Sequence, residues 1–311
     1  MTNPQKILLT GGGGMVGRNL QAHARANNHT MLAPRSAELD LTNTASTNAY
    51  VAQHQPDIII HAAGKVGGIQ ANIASPVEFL ELNTTIGRNI LMAARAVQVP
   101  RLLNLSSSCM YPAAGRNPLT EDQILTGPLE PTNEGYALAK IFAMRLCDYI
   151  TREDPSLQYK TLIPCNLYGP HDKFDLGASH LLPAIITKVH DAMATGKASV
   201  EIWGDGTARR EFMYAEDAAD GIWHAVENFE TLPALMNLGL GHDHSVNEYY
   251  AAAATAIGWQ GNFTHDLSKP VGMKQKLTSV DKQTTWGWQP KHSLTDGILK
   301  TYQFYMEHHA K

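Results

Sequence analysis

The 311-residue sequence predicts an α/β protein: a Rossmann-type, doubly wound parallel sheet carrying a smaller α/β C-terminal substrate domain. Three observations carry that prediction. Short apolar runs alternate with longer helical patterns through the first half, the rhythm of βαβ units. The run Asp57 to Ala63 (DIIIHAA) is apolar without alternation, as expected of a strand covered on both faces. A glycine cluster, TGGGGMVG at 10 to 17, falls between the first strand and the first helix.

Taken in order, Lys6 to Thr10 reads as the first strand, and a helix behind the glycines runs to about Asn27. Thr30 to Ala33 is a second strand, followed by a helix from about Thr44 to His54. After the Asp57 strand, Pro76 suits the first turn of a long helix reaching about Val97, with Glu78 where a helix start favours negative charge. Arg101 to Ser106 is the next strand. A helix from about Tyr136 to Arg152 leads to Tyr159 to Leu167, read as one further strand. Beyond Pro170 the rhythm loosens: helix near Leu181 to Ala194, strand at Val200 to Trp203, helix at Glu216 to Glu227, strand near Leu235 to Leu238. Helices at about Val246 to Ile257 and Leu294 to His308 close the chain. The dinucleotide-binding part is placed at 1–170, with segments near 211–240 returning to it, and the smaller part at 171–311.

Composition narrows the function. A net charge of −4 with 43% hydrophobic residues fits a globular protein and lacks the basic patch of a nucleic-acid binder. No run reaches 18 apolar residues and MTNPQKILLT has no signal-peptide pattern, so a cytoplasmic protein without membrane contact is expected. Cys109, Cys147 and Cys165 form no CxxC pair, which argues against a disulfide framework or zinc site. Fourteen histidines include no HExxH, and no metal is expected.

Gly11, Gly14 and Gly17 have the GxxGxxG spacing. With Gly12, Gly13, Met15 and Val16 they form a turn whose backbone approaches a pyrophosphate at a helix start. An acid usually ends the second strand of an NAD site; here Arg35 and Ser36 stand there, a guanidinium and a hydroxyl suited to the extra phosphate of NADP. Asp40 and Leu41 follow where an adenine lies, and the small Ala62 and Ala63 let a cofactor approach the third strand's end.

Tyr136 and Lys140 in NEGYALAK share a helix face. An ammonium and a nicotinamide beside a phenol lower its pKa from the reference of about 10. The phenol then protonates a carbonyl oxygen as hydride reaches the carbon. Ser107 orients the same oxygen. With the HAA strand end and PCNLYGP, this set resembles the extended short-chain dehydrogenase/reductase family over essentially the whole chain. The resemblance implies an NADP(H) cofactor, a sugar nucleotide under the C-terminal part, and a homodimer formed through the helices at 76–97 and around Tyr136.

Cys109 has no task in reduction. It lies beyond a strand's carboxyl end, in the crevice where such sheets bind ligands, and a neighbouring cation favours its thiolate. Cys147 reads as packing. His180 is the natural second acid–base group, and His171 reads as a loop contact. The stretches SSSCMYP, LEPTNEGYALAK, NLYGPHDKF, SHLLPA, WGDGTARREF and SKP are similar to family members that epimerise a GDP-bound 4-keto-6-deoxy sugar and then reduce it. This implies Cys109 as base and His180 as acid at C3 and C5, and reduction at C4 by Ser107, Tyr136 and Lys140. A narrower alternative inverts only C5 of a 3-deoxy substrate. The same resemblance places Leu105, Ser106, Lys140, Pro164, Asn166, Leu167 and His180 at the cofactor. It assigns Ser107, Ser108, Cys109, Asn166, Lys188, Trp203, Arg210 and Lys269 to the GDP-sugar, core packing being the other reading of Trp203. The chain departs from the family at Gly13, where a basic residue is common, at Val271, commonly acidic, and at Gln275, commonly arginine.

Overall fold

The computed structural model describes residues 4–175, 179–269 and 273–310. Strand β1 (Lys6–Thr10) enters the glycine turn and α1 (Met15–Ala22) leaves it. That helix, expected to reach Asn27, ends earlier because His23 is extended (φ −70°, ψ 139°). A 3-10 turn over Ala24–Asn28 replaces the remainder. Next come β2 (Thr30–Leu32), α2 (Thr44–His54), β3 (Ile58–His61), a short unforeseen α3 (Ile69–Ala74), α4 (Pro76–Ala96), β4 (Arg101–Leu105), α5 (Glu134–Glu153) and β5 (Gln158–Pro164). Then follow β6 (Asn166–Tyr168), α6 (Leu181–Ala194), β7 (Ser199–Trp203), β8 (Arg209–Arg210), β9 (Phe212–Tyr214), α7 (Ala215–Glu227) and β10 (Leu235–Leu238). The chain finishes with β11 (His244–Ser245), α8 (Val246–Ile257), β12 (Asn262–Asp266), β13 (Gln275–Lys276), α9 (Asp281–Trp286) and α10 (Leu294–His308).

Six strands form the main sheet in the order β10-β5-β4-β3-β1-β2, every pairing parallel. From β1 the chain goes outward to β2, then crosses back to β3 on the other side. The strand order therefore reverses between β1 and β3, and the crevice at a reversal is where such sheets hold ligands. Alternate residues of each strand serve opposite cores, which is why the runs are apolar throughout. Ile7, Leu9, Ile58 and Ile60 pack with Leu20 of α1 and Trp223 of α7. Leu8, Ile59 and Leu102 pack with Val51 of α2, Ile90 of α4 and Ile150 of α5. Cys147 is buried in this second layer, as its packing role requires.

The segment expected as one strand from Tyr159 to Leu167 is two. Cys165 gives its N–H to Leu238 of the main sheet, and from Asn166 the backbone pairs with β9 instead. A separate core joins α6, α8 and α10 through Ile185, Ile186, Tyr249, Ala253 and Ile298. Strands β7 and β12 pair beside it. No helix among the described residues is long and apolar enough to cross a membrane.

Candidate active site

The crevice begins at the glycine turn. Gly11 has φ +77°, and a Cβ there would stand 2.7 Å from the Ala62 carbonyl and the Ala63 nitrogen. Only glycine lets the turn rest on the end of β3 in this way. A Cβ on Gly17 would strike the Gly11 carbonyl, whereas one on Gly13 would meet nothing within 4 Å. Helix α1 starts at Gly14 with no side-chain cap and no acidic residue in its first turn. Its first N–H groups, around the half-buried Met15 and Val16, therefore keep their capacity for an anion. These features fit a dinucleotide pyrophosphate. Gly12 packs against Ala33, a Cβ on it falling 2.9 Å from the Ala33 Cβ.

Arg35 and Ser36 are exposed just beyond β2. The Arg35 N–H donates to the Glu38 carboxylate at 2.7 Å, while its guanidinium forms no ion pair among the described residues. Asp40 accepts from the Thr42 N–H and hydroxyl at 2.9 and 2.7 Å, bonds that hold its carboxyl below the usual range. The Leu41 carbonyl accepts from Asn89.

At the far end of β4, a 3-10 turn over Ser108–Met110 makes exposure alternate. Ser106 and Ser108 are buried, Ser107 and Cys109 half-buried. Ser108, expected at the substrate, is thus only 3% exposed; the Ser106 hydroxyl is bonded to the Met110 sulfur at 2.9 Å. Helix α5 brings Tyr136 and Lys140 to the same place. The phenol lies beside the Ser107 hydroxyl, which favours its ionised form, and Lys140 Nζ donates to the Leu105 carbonyl at 3.0 Å, 5.8 Å from the Tyr136 ring centre. Burial pushes the phenol's pKa upward, aided by the Cys109 charge and opposed by the Ser107 bond. The lowering expected from an ammonium and a nicotinamide together is not seen in the protein alone, where desolvation is the largest influence on the phenol. Burial also lowers Lys140 to about 8, Cys109 opposing it.

Asn133 Nδ2 donates to Cys109 Sγ at 3.2 Å. His180 stands at the start of α6, where burial and the Lys173 charge lower its pKa. Lys173 donates to the Val66 carbonyl at 3.4 Å, and the Ser179 carbonyl lies 3.6 Å from where a Gly68 Cβ would sit. The loop after β3 therefore faces the approach to His180. His171, with φ +68°, meets the Phe304 ring edge-on at 4.7 Å, the loop contact expected of it.

Pro164 ends β5, Leu167 lies in β6, and Asn166 Nδ2 donates to the Glu211 carbonyl at 2.8 Å. Trp203 is 55% exposed, which removes core packing. Lys188 and Lys269 hold their ammonium groups 5.3 and 5.5 Å from its ring centre. Among the described residues Arg210 donates to the carbonyls of Arg209 and Met273, whereas Arg209 is tied to Asp243 at 2.7 Å. Of the two, Arg210 is the one without a carboxylate in direct contact among the described residues. Gln275 also binds Asp243, at 2.7 Å, so the family's arginine position is filled by a neutral amide on a carboxylate that Arg209 already neutralises. Val271 lies outside the described residues.

The sequence reading passed over Asn133 and Asn83. Asn83 is buried and binds the Lys65 N–H, the Lys65 carbonyl and the Phe79 carbonyl, fixing the loop beside Lys140. A polar residue on the apolar face of α4 was the available signal.

Residues 7–239 match the NAD dependent epimerase/dehydratase family, and the chain belongs to that family. It is 54% identical over 301 residues to the GDP-L-colitose synthase of Yersinia pseudotuberculosis, covering 97% of this chain and 98% of that one. To the GDP-L-fucose synthase of Azorhizobium caulinodans it is 52% identical over 306 residues, 98% of each chain. A solved GDP-L-fucose synthetase from Naegleria fowleri bound to NADP superposes with a TM-score of 0.91 at 26% identity, covering 99% of this chain and 94% of that one.

Proposed function

We propose that the protein inverts C3 and C5 of GDP-4-keto-6-deoxy-D-mannose and reduces C4 with NADPH, giving GDP-L-fucose. One observation carries the reading: a half-buried thiol, Cys109, sits beside Ser107, its N–H donating to the Ser107 hydroxyl at 3.3 Å, at the same strand end where Lys140 anchors on the Leu105 carbonyl. Reduction needs no such thiol, whereas epimerisation beside a ketone needs a base. The 52% identity to a GDP-L-fucose synthase supports the reading.

In this mechanism Cys109 thiolate takes a proton from the carbon beside the ketone. The C–H electron pair moves to the ketone oxygen, where the Ser107 and Tyr136 hydroxyls meet the developing charge. His180 returns a proton from the opposite face. Bound NADPH supplies hydride to C4. Tyr136 gives its proton to O4, for which a raised pKa is apt, since the phenol stays protonated until needed; Lys140 steadies the resulting phenolate. Gly11 to Gly17 would hold the pyrophosphate and Arg35 with Ser36 the 2′-phosphate. Asp40 and Leu41 would meet the adenine, and Ala62, Ala63, Leu105, Ser106, Lys140, Pro164, Asn166, Leu167 and His180 the rest. Lys188, Arg210 and Lys269 suit a diphosphate, and the Trp203 face suits a base or sugar.

A second reading, C5 inversion and C4 reduction of a 3-deoxy sugar, is favoured by the 54% identity to the GDP-L-colitose synthase. Incubation with GDP-4-keto-6-deoxy-D-mannose and NADPH in D₂O, followed by NMR of the product, separates them. Deuterium at both C3 and C5 of GDP-L-fucose supports the first, and no turnover of this substrate defeats it.

The remaining assignments belong to the same proposal. The 1–170 part with segments near 211–240 is supported by β10 lying beside β5. A homodimer through α4 and α5 is supported by Val77, Leu80, Leu138 and Phe142, exposed by 77, 39, 40 and 38%. Three free cysteines accord with a cytoplasmic setting.

A further inference from the structure

Asn133 occupies the N-cap of α5, where an asparagine usually turns its side-chain oxygen onto an N–H of the first turn. It makes no capping bond, and its backbone has φ −140° and ψ 23°. Its Nδ2 donates instead to Cys109 Sγ at 3.2 Å. Its Oδ1 is buried and accepts no hydrogen bond from a described residue. The side chain thus serves neither the helix nor a second protein group; the one bond it makes is to the sulfur. A thiolate can only accept, and Nδ2–H suits it. A thiol can also donate, and a half-turn of the terminal amide presents Oδ1 to the S–H. No second bond opposes that turn.

We infer that Asn133 is a positioning residue for Cys109, bonding the sulfur in both of its protonation states. This rests on the epimerase reading. In the forward step the thiolate lone pair forms the S–H bond while the C–H pair passes to the ketone oxygen. Asn133 donates before that transfer and accepts after it, so the sulfur is held in place throughout.

The test is iodoacetamide alkylation of the free protein between pH 6 and 10. Cys147 and Cys165 are 1% and 5% exposed, and Cys109→Ser supplies the blank. Asn133→Leu and Asn133→Ala can neither donate nor accept. Because the amide's bond to the charged sulfur is the stronger of its two, both variants are expected to alkylate about tenfold more slowly at pH 7, with the profile displaced to higher pH and its plateau kept. A melting temperature close to the parent's shows that each is folded. If the leucine variant fails to fold, alanine carries the test alone. Profiles superimposing on the parent's would overturn the inference, since mere packing leaves the thiol's titration unchanged. No substrate enters this measurement, so absence of deuterium exchange in the parent would defeat the epimerase reading separately.

Discussion

Lys140 anchors on the Leu105 carbonyl at 3.0 Å while its ammonium stands 5.8 Å from the centre of the Tyr136 ring. One N–H fixes the lysine to the end of β4 and leaves the charge beside the phenol. The cost is desolvation, which brings its pKa to about 8. Lys140 is charged below that pH and neutral above it. The kcat/KM for reduction, which reports the free enzyme, is expected to fall above about pH 8, with that limb absent in Lys140→Arg. Stability follows the opposite sense. Between about 8 and the reference near 10.5 the unfolded chain binds the extra proton, so this group's penalty is full below 8 and fades as pH rises. Lys140→Met should be at least as stable as the parent to urea at pH 7 while losing about 100-fold or more in reduction.

Cys109→Ser should lower solvent deuterium incorporation at C3 and C5 by about 100-fold or more. NADPH affinity should remain within about twofold, because the cradle around Gly11 is remote from the thiol in the sequence and in its bonding. Unchanged exchange would remove Cys109 from the mechanism.

Arg35 is exposed and free of ion pairs among the described residues, so its substitution costs the fold little. Arg35→Ala should weaken NADPH by about tenfold and leave NADH within about twofold, the loss of one charge-assisted phosphate contact. Equal losses with both would defeat the 2′-phosphate assignment. The open space at Gly13 makes Gly13→Arg tolerable, and calorimetric titration should show it binding NADPH more tightly than the parent does.

Trp203, half-exposed between two lysines, should act through binding. Trp203→Ala is expected to raise the KM for the GDP-sugar by about 5- to 30-fold with kcat nearly unchanged. Its melting temperature should stay near the parent's, since exposed positions move stability little. A large drop in melting temperature would return this residue to the core.

Gly11→Ala tests the cradle itself. Its backbone lies at φ +77° and the new Cβ would press on the Ala62–Ala63 peptide. A destabilisation of about 2 kcal/mol or more is expected from strain and overlap together, read from urea unfolding, with NADPH binding lost.

The sheet was legible because each strand's apolar run and each helix's period are local properties of the chain. The same holds for the glycine turn and for Tyr136 and Lys140. The break at Cys165 was not, because Ile163 to Leu167 is almost as apolar as the strand before it; only pairing with β9, about fifty residues later, shows where one sheet ends. The alternation of burial along Ser106 to Cys109 was hidden for a related reason: it is set by a 3-10 turn invisible in SSSCM. Asn133 was hidden because its bond to Cys109 joins residues 24 apart in the chain and exists only in the folded site. The upward push on the Tyr136 phenol was not legible because burial is a property of the assembled pocket.

The change of partners at Cys165 has a mechanical consequence. Residue 164 is the last of the large sheet and residue 166 the first of a small one, so a single backbone step joins the two walls of the crevice. That step is clamped on both sides, Cys165 by Leu238 and Asn166 by Glu211, and Glu211 is itself held by Leu240, Gly241 and Thr278. The junction between the two sheets is thereby tied by hydrogen bonds on both sides rather than left as a free linker.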